Sequence, residues 1–285
     1  MTEIVLDAFI DCLKLIPFLF ATYLILEFIE RQTEDKIAGL VRRAGAWGPF
    51  VGALLGLFPQ CGFSASAANF FALRIISSGT LLAVFLSTSD EMIPVLLAES
   101  AGVGLIARIL AVKFAAGVCI GLAADRVFHL CGDSAAPVDI HSMCERDHCN
   151  CDEDGVLLSS VKHTLRIAVF IFVISLILNT IIECIGHEAL RSVILDKPVA
   201  GPLLASLVGL IPNCAASVII TELYLSGAMS AGSMLAGLLA ASGIGLLVLF
   251  RVNRDRMGDN VKLLAFLYCS SVVIGAAFDL LGLTL

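Results

Sequence analysis

Pro59-Gln60-Cys61 stands in the middle of the apolar run from Leu54 to Phe71, and a near copy, Pro212-Asn213-Cys214, stands 153 residues later. Proline has no amide hydrogen and collides with the preceding helical turn. Inside lipid every backbone N–H and C=O needs a partner from the protein itself, so non-helical backbone survives only where protein or a wet cavity surrounds it. Each triplet therefore predicts an interrupted membrane helix with an amide side chain and a thiol beside unpaired backbone groups. Amide donors at a half-helix N-terminus favour anions, and the carbonyls that end the preceding half favour cations. Two opposed thiols add soft donors suited to thiophilic ions. Pro59, Gln60, Cys61, Pro212, Asn213 and Cys214, with Ser64 and Ser217 one turn on, form the expected substrate-binding set. The competing reading is a pair of structural kinks with incidental cysteines.

Other groups could balance charge or carry a coupling proton. Asp90 and Glu91 fall in "STSDEMIP" within the third apolar run, where a carboxylate is functional if it faces the bundle interior and merely solvated if the stretch is a membrane-edge loop. Lys113, near the centre of the fourth run, pairs with one of those acids or meets an anionic substrate. Glu222 matches Asn69 at the same offset and is either a proton or cation site or a wet residue at the exit of an interrupted segment. A further cluster lies between the halves in "HSMCERDHCNCDEDG". There His141, Cys144, His148, Cys149 and Cys151 are donors of the kind zinc and softer ions take. Their spacing matches no standard finger, and a disordered acidic linker is the alternative.

The elements that must position these residues are membrane helices. The chain is 59% hydrophobic and 15% charged, with a mean hydropathy of +0.97, well outside the range of soluble domains. Apolar runs of spanning length lie near residues 5–28, 47–73, 79–98, 102–127, 161–185, 200–226, 229–250 and 261–283. The first is longer than a signal-peptide core, lacks a basic leader and is expected to be a retained span. Six of the ten cysteines fall within apolar runs, where buried thiols are common, so no disulfide framework is expected. The net charge of −7 provides no basic stripe for nucleic acid. No P-loop, nucleophile elbow or HExxH is present, and the expectation is that the protein is not an enzyme.

The offset extends beyond the triplets. "GPFVGALLGLFPQCGFS" falls on "GPLLASLVGLIPNCAAS" without a gap, Ser77 and Gly79 fall on Ser230 and Gly232, and one residue out of step "IGLAAD" falls on "IGAAFD". The predicted fold is an all-α integral membrane protein of two inverted-topology repeats, residues 1–128 and 161–285, joined by a cytoplasmic Cys/His/acidic loop at 129–160. Each repeat has about five membrane segments, with re-entrant or broken helices at Pro59 and Pro212. With re-entrant segments, the basic loops after the first span and near residues 251–262 both lie in the cytoplasm, as the positive-inside rule prefers.

On "GLFPQCGFS", "GLIPNCAAS", their spacing and the ligand-rich loop, the sequence resembles the ten-span heavy-metal exporters. These are similar to ArsP-type arsenical permeases and are sometimes labelled manganese transporters. The resemblance implies efflux of a metal or metalloid, and the cysteine-rich loop leans toward softer ions than manganese. The expected protein is a multi-pass secondary transporter of the inner (plasma) membrane, exporting a heavy-metal or metalloid ion by alternating access and coupled to a proton or ion gradient. The alternatives are a permease for a small, sulfur-containing or other anion and a membrane metal sensor. No cofactor is required, and a divalent or soft metal ion is expected as substrate or regulator. The bilayer and a small ion are the expected partners, with a homodimer left open.

Overall fold

The computed structural model describes residues 47–58, 61–89, 92–99, 101–130 and 200–283, with isolated helical positions in 13–24 and 157–180. Among these residues every regular element is helical. Five helices come from the first half: α1 (Gly48–Gly56), α2 (Cys61–Ala72), α3 (Ser78–Ser87), α4 (Met92–Ala98) and α5 (Val103–Leu130). Five follow from the second: α6 (Ala200–Gly209), α7 (Cys214–Leu225), α8 (Ala231–Ala240), α9 (Gly245–Val252) and, after a 3-10 turn at Arg254–Arg256, α10 (Met257–Leu280). Helix for helix, α1 to α5 recur as α6 to α10. The starts of α2, α3 and α4 reappear 153 residues on, and that of α5 reappears 154 on.

Among the described residues four stretches are long and apolar enough to cross a membrane: Ser78–Ala98, Val103–Phe128, Ala231–Val252 and Arg254–Leu280. At 1.5 Å per residue, α5 and α10 exceed the roughly 30 Å hydrocarbon core. By contrast α1, α2, α6 and α7, of nine to twelve residues, each reach about half its depth.

The same device starts the third helix of each half. Ser77 is the N-cap of α3 and accepts from Thr80 N–H at 3.1 Å. From α5, Asp125 Oδ1 accepts from Gly79 N–H at 2.7 Å and Oδ2 from Ser77 Oγ at 2.9 Å. In the second half Ser230 caps α8, and Asp279 accepts from Gly232 N–H at 2.9 Å and Ser230 Oγ at 2.8 Å. The carboxylate thus satisfies donors that a helix start leaves open. It also pins the third helix of each half to the fifth. A Cβ on Gly79 or Gly232 would strike that carboxylate and the carbonyl of Gly121 or Gly275, which is why both positions are bare.

Within each half the helices pack in the order first, third, fifth: α1 and α5 flank α3, and α6 and α10 flank α8. All ten residues of α3 are buried, as are Gly232 to Ala240 of α8. Lipid offers little hydrophobic drive between helices, so close contact through small side chains supplies the cohesion. The halves interlock by exchange. α2 packs on α9, α7 packs on α4, and α3 meets α8. As a result both apolar cores are shared. One joins Phe71 and Phe85 to Leu246 and Leu249, and the other joins Met92 and Ile109 to Ile220 and Leu235.

Candidate functional site

Between α6 and α7 the chain leaves helix for Leu210–Asn213, with Pro212 in that interval and Asn213 as N-cap of α7. The Asn213 backbone is extended, and its side-chain Oδ1 accepts from Ala215 N–H at 2.9 Å. The amide expected as an adjustable ligand therefore spends its oxygen on starting the helix. In the first half, α1 ends at Gly56 and α2 begins at Cys61; Pro59 and Gln60 lie outside the described residues. Cys61 and Cys214 are the first residues of α2 and α7, while their side chains lie outside the described set. Ser64 and Ser217 are both buried, with 0% and 5% exposure.

A second pair of interruptions divides the runs that hydropathy reads as continuous. α3 ends at Ser87 and α4 starts at Met92, and α8 ends at Ala240 and α9 starts at Gly245. Ser87, Thr88 and Ser89 are fully or almost fully buried; Asp90 and Glu91 lie outside the described residues. Hydroxyls serve the end of α3. Thr88 Oγ1 donates to the Val84 carbonyl at 2.8 Å, Ser89 Oγ to that of Ser87 at 3.0 Å, and Ser87 Oγ to that of Lys113 at 3.4 Å.

At the end of α8 the donor comes from the other half. Lys113 is 1% exposed, and its Nζ donates to the Leu238 carbonyl oxygen at 2.5 Å. A cation at the carbonyl end of a helix meets the negative pole of its dipole, so this lysine ties α5 to α8 where α8 stops. The acids that the sequence suggested as its partners, Asp90 and Glu91, lie outside the described residues; the Leu238 carbonyl is a further partner, which no side-chain signal announces.

These two interruptions lie close to the predicted substrate-binding set. The start of α9 abuts α2 so tightly that a Cβ on Gly245 would lie 2.7–2.8 Å from Cβ, C and O of Ser64. Its counterpart in sequence, Met92, starts α4 in the core that holds Ala216 and Ile219 of α7. Each half's helix after the Pro-Cys segment thus lies against the other half's helix after the second interruption.

Glu222 is exposed. Cys119 and Cys269, expected as buried thiols, are exposed free cysteines on α5 and α10. His141, Cys144, His148, Cys149 and Cys151 lie outside the described residues. Among the described residues no group of three or more His, Cys, Asp or Glu could hold a metal ion.

Residues 1–153 match the family model described as "Putative, 10TM heavy-metal exporter". The chain belongs to this family. It is a multi-pass membrane transporter of a heavy-metal efflux family, and the matched region takes in the first Pro-Cys segment, the second interruption, Lys113 and most of the Cys/His loop. Neither curated proteins nor solved structures give a match.

Proposed function

We propose that the protein is a secondary transporter of the inner membrane that exports a heavy-metal or metalloid ion by alternating access between two inverted repeats, residues 1–128 and 161–285. The reading rests on the exchanged packing of α2 on α9 and α7 on α4. Interrupted helices at the interface of paired repeats are where secondary transporters hold their cargo. Here the helices that follow the interruptions, α2 with α9 and α7 with α4, pack across the two halves, and helix ends offer carbonyls, amides and hydroxyls.

In this scheme α1 with α2, and α6 with α7, are re-entrant hairpins or broken spans whose tips carry Pro59 and Pro212. Cys61 and Cys214 present soft donors at the first turns of α2 and α7, with Gln60, Asn213, Ser64 and Ser217 shaping the cavity. Asp90 and Glu91 carry the coupling proton or balance the cargo, and Lys113 holds the end of α8 in register with the first half. The cytoplasmic loop at 129–160 binds metal as a regulator through His141, Cys144, His148, Cys149 and Cys151.

Reconstituted protein should move at least one of Zn2+, Cd2+, Mn2+ or arsenite along an imposed proton gradient. Cys61→Ser combined with Cys214→Ser should lower that flux by about tenfold, equivalent to about 1.4 kcal/mol, in protein that still folds. Undiminished flux in the double variant removes the thiols from the cargo path. Absence of flux for the whole panel overturns the export reading.

A further inference from the structure

The interruption after α8 lies wholly inside the protein. Ala241 to Gly245, which join α8 to α9, are all buried, and Ala241 N–H closes the last turn of α8 on the Gly237 carbonyl at 3.0 Å. The carbonyls beyond that turn are the ones a helix leaves open, and together they form its negative pole. A pole of this kind, at a broken helix between two repeats, is where secondary transporters coordinate a coupling cation. In this chain a cation already stands there. The Lys113 ammonium, 1% exposed, reaches across from α5 of the first half and donates to the Leu238 carbonyl.

A charge is more than a structural tie needs at this depth. At the equivalent end of α3 the hydroxyls of Thr88 and Ser89 serve the carbonyls, and residue 267, the counterpart of Lys113 on α10, is a fully buried leucine. An ionised side chain inside a membrane bundle is expensive and marks ion-handling positions. The elements around it bring no counter-charge of their own: Gly48–Gly56 of α1, Ser78–Ser87 of α3, Met92–Ala98 of α4 and Ala231–Ala240 of α8 contain no titratable side chain. Asp90 and Glu91, between α3 and α4, lie outside the described residues. An ammonium has three donors, so further partners on Lys113 add to its hold and leave its place at this pole unchanged.

We propose that the carbonyl end of α8 is a site for a small monovalent cation that the chain fills with its own Lys113 ammonium, so that the transport cycle is coupled without sodium or potassium. The coupling clause deepens the transport reading and rests on it; the cation site does not.

Lys113→Ala removes the tethered cation and keeps the pole. Parent and variant, both full-length, are unfolded by heat in a non-ionic detergent with choline as the bulk cation. Na+, K+ or n-propylammonium, which has the atoms that the substitution deletes, replaces choline at up to about 0.1 M, so that all samples are screened alike. The parent midpoint should be the same in every salt. The variant should melt lower in choline and recover about half or more of the lost midpoint, saturably, in at least one of the three cations, as binding to the folded state alone requires. A lysine that is only a strut gives a lowered midpoint that no cation restores, and that result overturns the site, as does a parent midpoint that rises in Na+ or K+. Lys113→Ser is the second variant if Lys113→Ala does not fold, and failure of both to fold in any of the cations overturns the site as well. In proteoliposomes under one imposed proton gradient, the parent should carry cargo equally fast in choline, Na+ and K+ media; a rate that depends on Na+ or K+ overturns the coupling clause. Cation recovery in a protein that moves nothing would overturn the export reading alone, and flux without cation recovery would overturn the site alone.

Discussion

After α3 the chain opens at Thr88 and Ser89; after α8 it opens at Ala241 and Ser242. These are the same place in two copies of one plan, yet they are satisfied by different chemistry. The first has its own hydroxyls bonded to nearby carbonyls. The second puts Ala240 and Ala241 where the first has Ser87 and Thr88 and takes a donor from the opposite half, the Lys113 ammonium on the Leu238 carbonyl. Backbone polar groups in an apolar interior must be paired, but the requirement does not specify the partner. Duplication preserved the break, and divergence chose who serves it. Residue 267, which corresponds to Lys113 in α10, is a fully buried leucine in a shared core.

The asymmetry can be attacked directly. The largest effect is expected where the second half would be made to copy the first. Gly245→Met installs the residue that opens α4, but Ser64 of α2 already occupies the space. Overpacking should cost about 3 kcal/mol, read as a lowered midpoint in reversible detergent denaturation, and a variant as stable as the parent would mean that α2 and α9 are not in close contact. Next comes Lys113→Met. It leaves the Leu238 carbonyl without its charged donor and should cost about 2 kcal/mol, in the range for bonds to charged groups; no loss would show that the second interruption does not depend on the first half. The smallest difference is expected where the halves agree. Asp125→Asn and Asp279→Asn each weaken the same serine and glycine bonds and should each cost about 1.5–3 kcal/mol, equal to within about 0.5 kcal/mol. A clear inequality between them would break the correspondence of α3 and α8.

The matching pairs were legible in the sequence because they are side chains at a constant offset. Ser77 with Ser230, and Gly79 with Gly232, keep the 153-residue shift, and Asp125 with Asp279 is one out because α10 starts one residue later than α5. That these residues bond to one another was not legible, since a hydropathy profile carries no distances. The interruption after α3 was legible in part, since the acids of "STSDEMIP" allowed a loop there. The one after α8 holds only Ala, Ser, Gly and Ile, all tolerated inside membrane helices, so residues 229–250 read as unbroken. What marks the second of them is the α2 backbone against Gly245, a contact 181 residues apart in the chain. The Leu238 carbonyl was not among the partners expected of Lys113, because sequence inspection weighs side chains and overlooks carbonyls that helix ends leave open.

One corner of the molecule has a mechanical side. Arg74, just past α2, sits at φ +61°, and its equivalent Gly227, just past α7, sits at φ +74°. Glycine accepts that turn freely, while arginine pays on the order of 1 kcal/mol for it. Arg74 is kept there by the Phe71 ring, 5.2 Å from its guanidinium carbon, and by Asp259; around Gly227 the space is open. The first bend is held by side chains that reach the opposite half, whereas the second is held by its own backbone, Gly227 N–H donating to the Tyr224 carbonyl at 3.0 Å and Ala228 N–H to that of Leu223 at 2.9 Å.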